Sequence, residues 1–151
     1  WRVSVRCMTT IRAARTYDAQ SIAELGAELG YPSTRQQIAT RLAGVEAEPS
    51  SRVLVAEDGE GRVVGWLHVA ARTQLTEDRC AEILGLVVDA SARGGGVGAD
   101  LLRAAEEWAR AEGCVRIRVR SRDTRERAHR FYERAGYERN KVPLVLHKAL
   151  G

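Results

Sequence analysis

Apolar and polar positions along the chain follow two periods, and the switches between them mark out its elements. Thr10–Ala13 reads as a short strand. Asp18 can cap a helix that runs through Glu28 with Ile22, Leu25 and Leu29 on one stripe, and Gly30 ends it. Ser33-Thr34-Arg35-Gln36 has a capping-box pattern and opens a second helix with Ile38 and Leu42 turned inward. The polar segment EAEPSS closes this helical pair.

The period then becomes two. Arg52–Glu57, a DGEG turn and Arg62–Ala71 form a hairpin, because apolar β-formers flank a glycine-containing turn of hairpin length. Ala81–Val88 is apolar at nearly every position, which predicts a strand buried on both faces at the centre of the sheet. Val97–Glu112 is an amphipathic helix stopped by Gly113, and Val115–Arg120 alternates strictly as a strand. Thr124 can cap a last helix that Gly136 ends, and Tyr137–Arg139 with Pro143–Lys148 supply a closing pair of strands. The order β-α-α-β-β-β-α-β-α-β-β predicts an α/β fold, with a mixed sheet flanked by helices and one βαβ crossover over residues 81–120.

Composition narrows the class. A chain of 151 residues with 44% hydrophobic and 29% charged residues is long enough for one folded domain, expected over residues 8–151. Residues 1–7, WRVSVRC, lack the apolar core of a signal peptide and read as an upstream extension or cloning remnant ahead of Met8. No apolar run approaches the roughly 20 residues of a membrane span, so no membrane partner is expected. Cys7, Cys80 and Cys114 are scattered without Cys/His ligand spacing, which suggests no metal, inert thiols and a cytoplasmic location. The net charge of +4 suits nucleic acid or an anionic cofactor equally. Interleaving of Arg with Glu and Asp, as in RAAEEWARAEG and TRERAHRFYER, favours a solvated charged face over a nucleic-acid surface.

The candidate chemistry lies in VVDASARGGGVGADLL, where an apolar strand breaks into glycines at the mouth of a helix. Bare backbone N–H groups and the positive end of a helix dipole together form a site for phosphates. The stretch contains no GKS or GKT, and no GxGxxG followed by a ribose-binding acid, so a hydrolysed nucleotide or a dinucleotide is not the expected ligand.

Arg93-Gly94-Gly95-Gly96-Val97-Gly98-Ala99 reads R-x-x-G-x-G-A, and Ala128, Tyr132, Gly136 and Tyr137 in TRERAHRFYERAGY read A-x-x-x-Y-x-x-x-G-Y. In these two motifs, and in element order over residues 10–148, the chain resembles the GNAT superfamily of acetyl-CoA-dependent N-acetyltransferases. The resemblance implies a GNAT fold in which the fourth strand splays from the fifth, and it assigns Arg93–Ala99 to the pyrophosphate of coenzyme A. It places the pantetheine arm along the backbone of Leu86, Val87 and Val88, whose side chains would serve an ordinary core strand equally well. It makes Tyr132 the general acid that protonates the departing thiolate, although a tyrosine beside Phe131 and Ala135 also serves as packing. Glu82, at the spacing of the catalytic glutamate in one branch of the family, becomes the candidate base if burial raises its pKa. Many members carry an asparagine where this chain has Arg125, so Ser121, Asp123, Thr124 or Arg125 itself takes those cofactor contacts.

Trp66 and His68 share one face of their strand and are candidates for lining an acceptor pocket, or for packing. Glu24, Glu28, Glu46 and Glu48 fit a polycationic acceptor such as an aminoglycoside or polyamine, and fit a solvated helix surface equally well. The expected function is direct transfer of acetyl from acetyl-CoA to a primary amine of a small molecule, without a metal or a thiol intermediate. Peptide or protein amines, and a non-catalytic CoA-sensing module, are the alternatives. A homodimer is left open.

Overall fold

The computed structural model describes residues 9–120, 126–140 and 144–151. The readings of Cys7, Met8, Ser121, Asp123, Thr124, Arg125 and Pro143 lie outside these residues. Two compact units divide the chain, residues 1–119 and 120–151.

The first unit is a five-stranded sheet with helices on both faces. Its strands are β1 (Thr10–Ala13), β2 (Ser51–Glu57), β3 (Val63–Gln74), β4 (Glu77–Val88) and β5 (Arg116–Val119), in spatial order β1-β2-β3-β4-β5. The first four pair antiparallel and β4 pairs parallel with β5. A parallel pair requires a crossover, supplied here by α3 (Val97–Ala111). The expected mixed α/β sheet is present.

Two helices, α1 (Ala19–Glu28) and α2 (Arg35–Glu46), cover one face. Ile22 and Leu25 of α1 and Leu42 of α2 pack with Val55, Val63 and Val87, and Trp66 leans on the same cluster. The cap of α2 lies one residue later than the sequence suggested. Gln37 N–H donates to Thr34 Oγ1 at 3.1 Å, and the Gln37 side-chain oxygen Oε1 accepts from Thr34 N–H at 2.9 Å. Thr34 and Gln37 have the same spacing as Ser33 and Gln36, so the pattern alone could not choose the register.

The other face is covered by α3, whose Val97, Leu101, Leu102, Ala105 and Ala109 are buried at helical spacing. Gly65 permits the close approach. A Cβ there would lie 3.0 Å from Val87 O, 3.1 Å from Leu101 Cδ1 and 3.3 Å from Val97 Cγ1. The absence of a side chain at Gly65 thus lets the first turn of α3 sit against β3 and β4.

β4 departs from the expected strand in two ways. It begins at Glu77 rather than Ala81, and it is not buried throughout, since Leu84 is 53% exposed. His68 pairs with Gly85 and Val69 with Ile83, so Leu84 is the extra residue of a β-bulge.

In the second unit α4 spans Glu126–Arg134. The expected closing strands are not formed: residues 137–140 and 144–151 carry no strand, and residues 141–143 lie outside the description. Leu144, Val145, Leu146 and Leu150 are exposed. An alternating pattern makes a strand only where a partner edge takes up its backbone groups.

Candidate active site

The glycine motif sits where β4 runs into α3. Gly94 and Gly96 both have φ of 84°, in the left-handed region that a Cβ disfavours. No neighbouring atom would touch a Cβ at either position, so the turn, and not packing, demands glycine there. Gly96 is the N-cap of α3 and accepts from Asp100 N at 3.0 Å. Having no side chain, it leaves the first-turn N–H groups of Val97, Gly98 and Ala99 uncapped. Arg93 through Gly96 are exposed, and Arg93 folds back so that its Nε donates to Val88 O at 3.3 Å. The arrangement is a water-facing row of amides at the positive end of a 15-residue helix.

The strand before it is half-paired. β4 and β5 stay in register from Cys80 opposite Arg116 to Ile83 opposite Val119, while β4 continues to Val88. Among the described residues, the edge of Leu84–Val88 facing away from β3 therefore has no strand partner. Leu86 and Val87 remain bonded to β3 opposite Leu67 and Trp66. The β4–β5 pairing thus ends at Ile83, next to the bulge.

Trp66, His68, Gly85 and Glu82 share the face of the sheet under α1 and α2. His68 lies opposite Gly85, and Glu82 lies opposite Ala70, next along the same face of β3. Nε1 of Trp66 and Nε2 of His68 are buried with no hydrogen-bond partner among the described residues. Burial pushes the His68 imidazole below the ordinary histidine range, against an opposing pull from Glu48. His68 is therefore neutral near pH 7. Glu82 is half-buried on β4 and lies between Ala70 on one side and Arg118 on the other.

In the second unit Tyr132 is half-buried on α4. Its ring meets Phe131 edge-on at 5.1 Å and Tyr137 edge-on at 5.6 Å between centroids. Gly136, with φ of 95°, closes the helix: its N–H donates to Glu133 O at 3.0 Å, and Tyr137 N donates to Tyr132 O at 3.0 Å. This is a Schellman ending, and its usual apolar contact is the Tyr132–Tyr137 pair. The spacing Tyr-x-x-x-Gly-Tyr thus has a local cause independent of catalysis.

Arg116 and Arg118, on β5, serve a structural cluster. Arg118 pairs with Glu77, and Arg116 Nη1 lies 3.5 Å from the same carboxylate. Arg118 Nε also donates to Cys80 Sγ at 3.3 Å. Cys80 and Cys114 carry free thiols, and no metal-binding cluster of His, Cys, Asp or Glu occurs among the described residues. Sequence reading missed Arg62, Asp89 and Gly85, which hold the loop and the bulge. A lone polar residue at a strand end has no pattern to announce its partner 27 positions away.

The sequence model described as the acetyltransferase (GNAT) family matches residues 15–137. The chain belongs to the GNAT family of acetyltransferases. It is 35% identical over 112 residues to an aminoglycoside N(6′)-acetyltransferase type 1 of Klebsiella aerogenes, covering 70% of this chain and 73% of that protein. A putative acetyltransferase of Agrobacterium tumefaciens is similar in structure, with a TM-score of 0.82, 26% identity and coverage of 92% of this chain and 99% of that one. An aminoglycoside 6′-N-acetyltransferase of Acinetobacter baumannii shares the fold at a TM-score of 0.82 with 16% identity, over 95% of this chain and all of that one. This GNAT protein is thus an N-acetyltransferase, in a family whose members draw on acetyl-CoA. Among the described residues no helix is long and apolar enough to cross a membrane.

Proposed function

We propose that this GNAT enzyme transfers the acetyl group of acetyl-CoA to a primary amine of a small polycationic molecule, with the 6′-amine of an aminoglycoside as the first candidate. The observation that carries the donor half is the glycine-capped mouth of α3, which presents uncapped N–H groups beside the unpaired edge of β4. A pyrophosphate at Arg93–Ala99 would complete that helix terminus, and an amide-bearing arm would complete the edge at Leu86–Val88.

In the proposed reaction the neutral amine attacks the thioester carbonyl, a C–N bond forms and the C–S bond breaks. Tyr132 donates its phenolic proton to the leaving thiolate. Glu82, directly or through water, takes the proton lost by nitrogen. Trp66 and His68 line the acceptor side, where a neutral His68 can accept a hydrogen bond from an ammonium group. The similarity to the Klebsiella enzyme supports the aminoglycoside, and Glu24, Glu28, Glu46 and Glu48 supply carboxylates that suit a polycation. The same reading puts the enzyme in the cytoplasm, where acetyl-CoA is available.

The test is thiol release from acetyl-CoA across aminoglycosides, polyamines, amino acids and peptides. Turnover with aminoglycosides supports the proposal, and turnover confined to peptides replaces the acceptor. Tight acetyl-CoA binding without turnover on any amine replaces catalysis with sensing.

A further inference from the structure

Asp89, the first residue after β4, joins three parts of the chain. Its N–H donates to Val64 O at 2.8 Å, which continues the strand pairing with β3. Its Oδ1 accepts from both the backbone N and the hydroxyl of Ser91, each at 2.9 Å, and so caps the single 3-10 turn Ala90–Ala92. Its Oδ2 accepts from Arg62 Nη2 at 2.5 Å.

Arg62 is itself fixed. Its N–H donates to Asp58 Oδ1 at 2.9 Å, and its carbonyl accepts from Asp58 N at 2.8 Å, closing the turn between β2 and β3. The two turns are thereby fastened together across 27 residues of sequence. Downstream, the loop has little of its own: Arg93 N to Ala90 O and Gly95 N to Ala92 O are both long, at 3.4 Å. The directions of the Gly94–Gly96 amides thus follow the 90–92 turn, which follows Asp89.

Charge points the same way. A carboxylate near a phosphate site would repel its ligand unless neutralised, and Arg62 neutralises it. The Ser91 N–H, the Ser91 hydroxyl and Arg62 together hold the Asp89 carboxyl below its ordinary range, so the clamp persists through neutral pH.

We propose that Asp89, clamped by Arg62, is a positioning residue that orients the amides of Gly94 and Gly96 toward the pyrophosphate of coenzyme A. This rests on the reading that Arg93–Ala99 holds that pyrophosphate. Calorimetric titration of coenzyme A, together with KM and kcat for acetyl-CoA, tests it on the intact chain. Asp89→Ala is expected to weaken coenzyme A binding and raise the KM by roughly tenfold while changing kcat less than about twofold. Asp89→Asn keeps an acceptor for Ser91 and is expected to recover most of that loss. Arg79→Ala is the structural control, since Arg79 binds Glu112 at the far end of β4 and is expected to lower Tm without moving coenzyme A affinity.

Wild-type protein that fails to bind coenzyme A overturns the phosphate reading and the proposal with it. Wild-type binding that Asp89→Ala leaves unchanged overturns the positioning role alone. Equal affinity losses in Asp89→Ala and Arg79→Ala variants of matched Tm also overturn it.

Discussion

The indole of Trp66 occupies the space a side chain would take at Gly85: a Cβ built there lies 2.7 Å from Cζ3 and 2.9 Å from Cη2. The same ring also comes within 4.0 Å, at Cζ2, of a Cβ at Gly26 on α1. The ring therefore fills the space between α1 and the bulge of β4. The two glycines differ in kind, because a Cβ at Gly26 meets only ordinary contacts, the nearest at 3.6 Å. Gly85→Ala is expected to destabilise by about 1–3 kcal/mol through overpacking. Gly26→Ala is expected to stabilise by up to ~1 kcal/mol through helix propensity. Trp66→Phe combined with Gly85→Ala should cost less than the sum of the single changes, as urea unfolding of the four proteins will report.

Asp18 gives the stability a dependence on acid. Its side chain is 2% exposed and takes Arg12 in a two-pronged pair at 2.8 and 2.9 Å, plus Arg15 N at 2.7 Å. Burial raises its pKa, and the Arg12 and Arg15 bonds outweigh this, holding the carboxyl below the ordinary range. A depressed folded pKa contributes stability that is present above about pH 4 and lost as pH falls through the lower native value. Asp18→Asn is expected to cost roughly 2–4 kcal/mol at pH 7, with the gap to wild type closing in strong acid.

His68 adds a second window. Its folded pKa is depressed by burial, so its stabilising effect is complete above about pH 6.5 and declines as pH falls and the unfolded chain takes up the proton. His68→Gln is expected to flatten unfolding free energy between about pH 7 and 5, measured by denaturant titration at each pH.

Gly96 separates conformation from charge. Gly96→Ala strains a residue at φ 84° and is expected to cost about 1–2 kcal/mol of stability. Gly96→Asp adds a carboxylate that caps α3 from within and repels phosphate, and calorimetry should show coenzyme A binding lost. Equal affinity in these two variants would remove the phosphate from this loop.

Much of the scaffold was legible because its causes are local. The stripe of Ile22 and Leu25, the turn at residues 58–61 and the uncapped glycine mouth of α3 each follow from neighbours in sequence. The closing strands over 137–139 and 143–148 were not legible, since alternation records an ability to pair and not the presence of an edge to pair with. The bulge at Leu84 also hid inside a uniformly apolar run. There the period of two breaks without a change in residue type, and only the pairing of Gly85 with His68 exposes it. For the site, the glycines announced themselves through spacing, whereas Asp89 and Arg62 act through a contact between distant turns. Tyr132 is legible as a motif residue, yet its contact with Tyr137 accounts for part of that motif by helix closure alone. Tyr132→Phe keeps the ring contact, so it isolates the hydroxyl: kcat is expected to fall roughly 10- to 100-fold with coenzyme A affinity unchanged.

The most direct measurement is transfer of isotopically labelled acetyl from acetyl-CoA to an aminoglycoside bearing a 6′-amine, compared with its 6′-hydroxyl counterpart, with the product located by NMR. The account predicts label on the 6′ nitrogen of the first compound, one coenzyme A thiol released per acetyl transferred, and none of this 6′ product from the second. Absence of thiol release with every amine offered, from protein that is folded and saturated with acetyl-CoA, would contradict it.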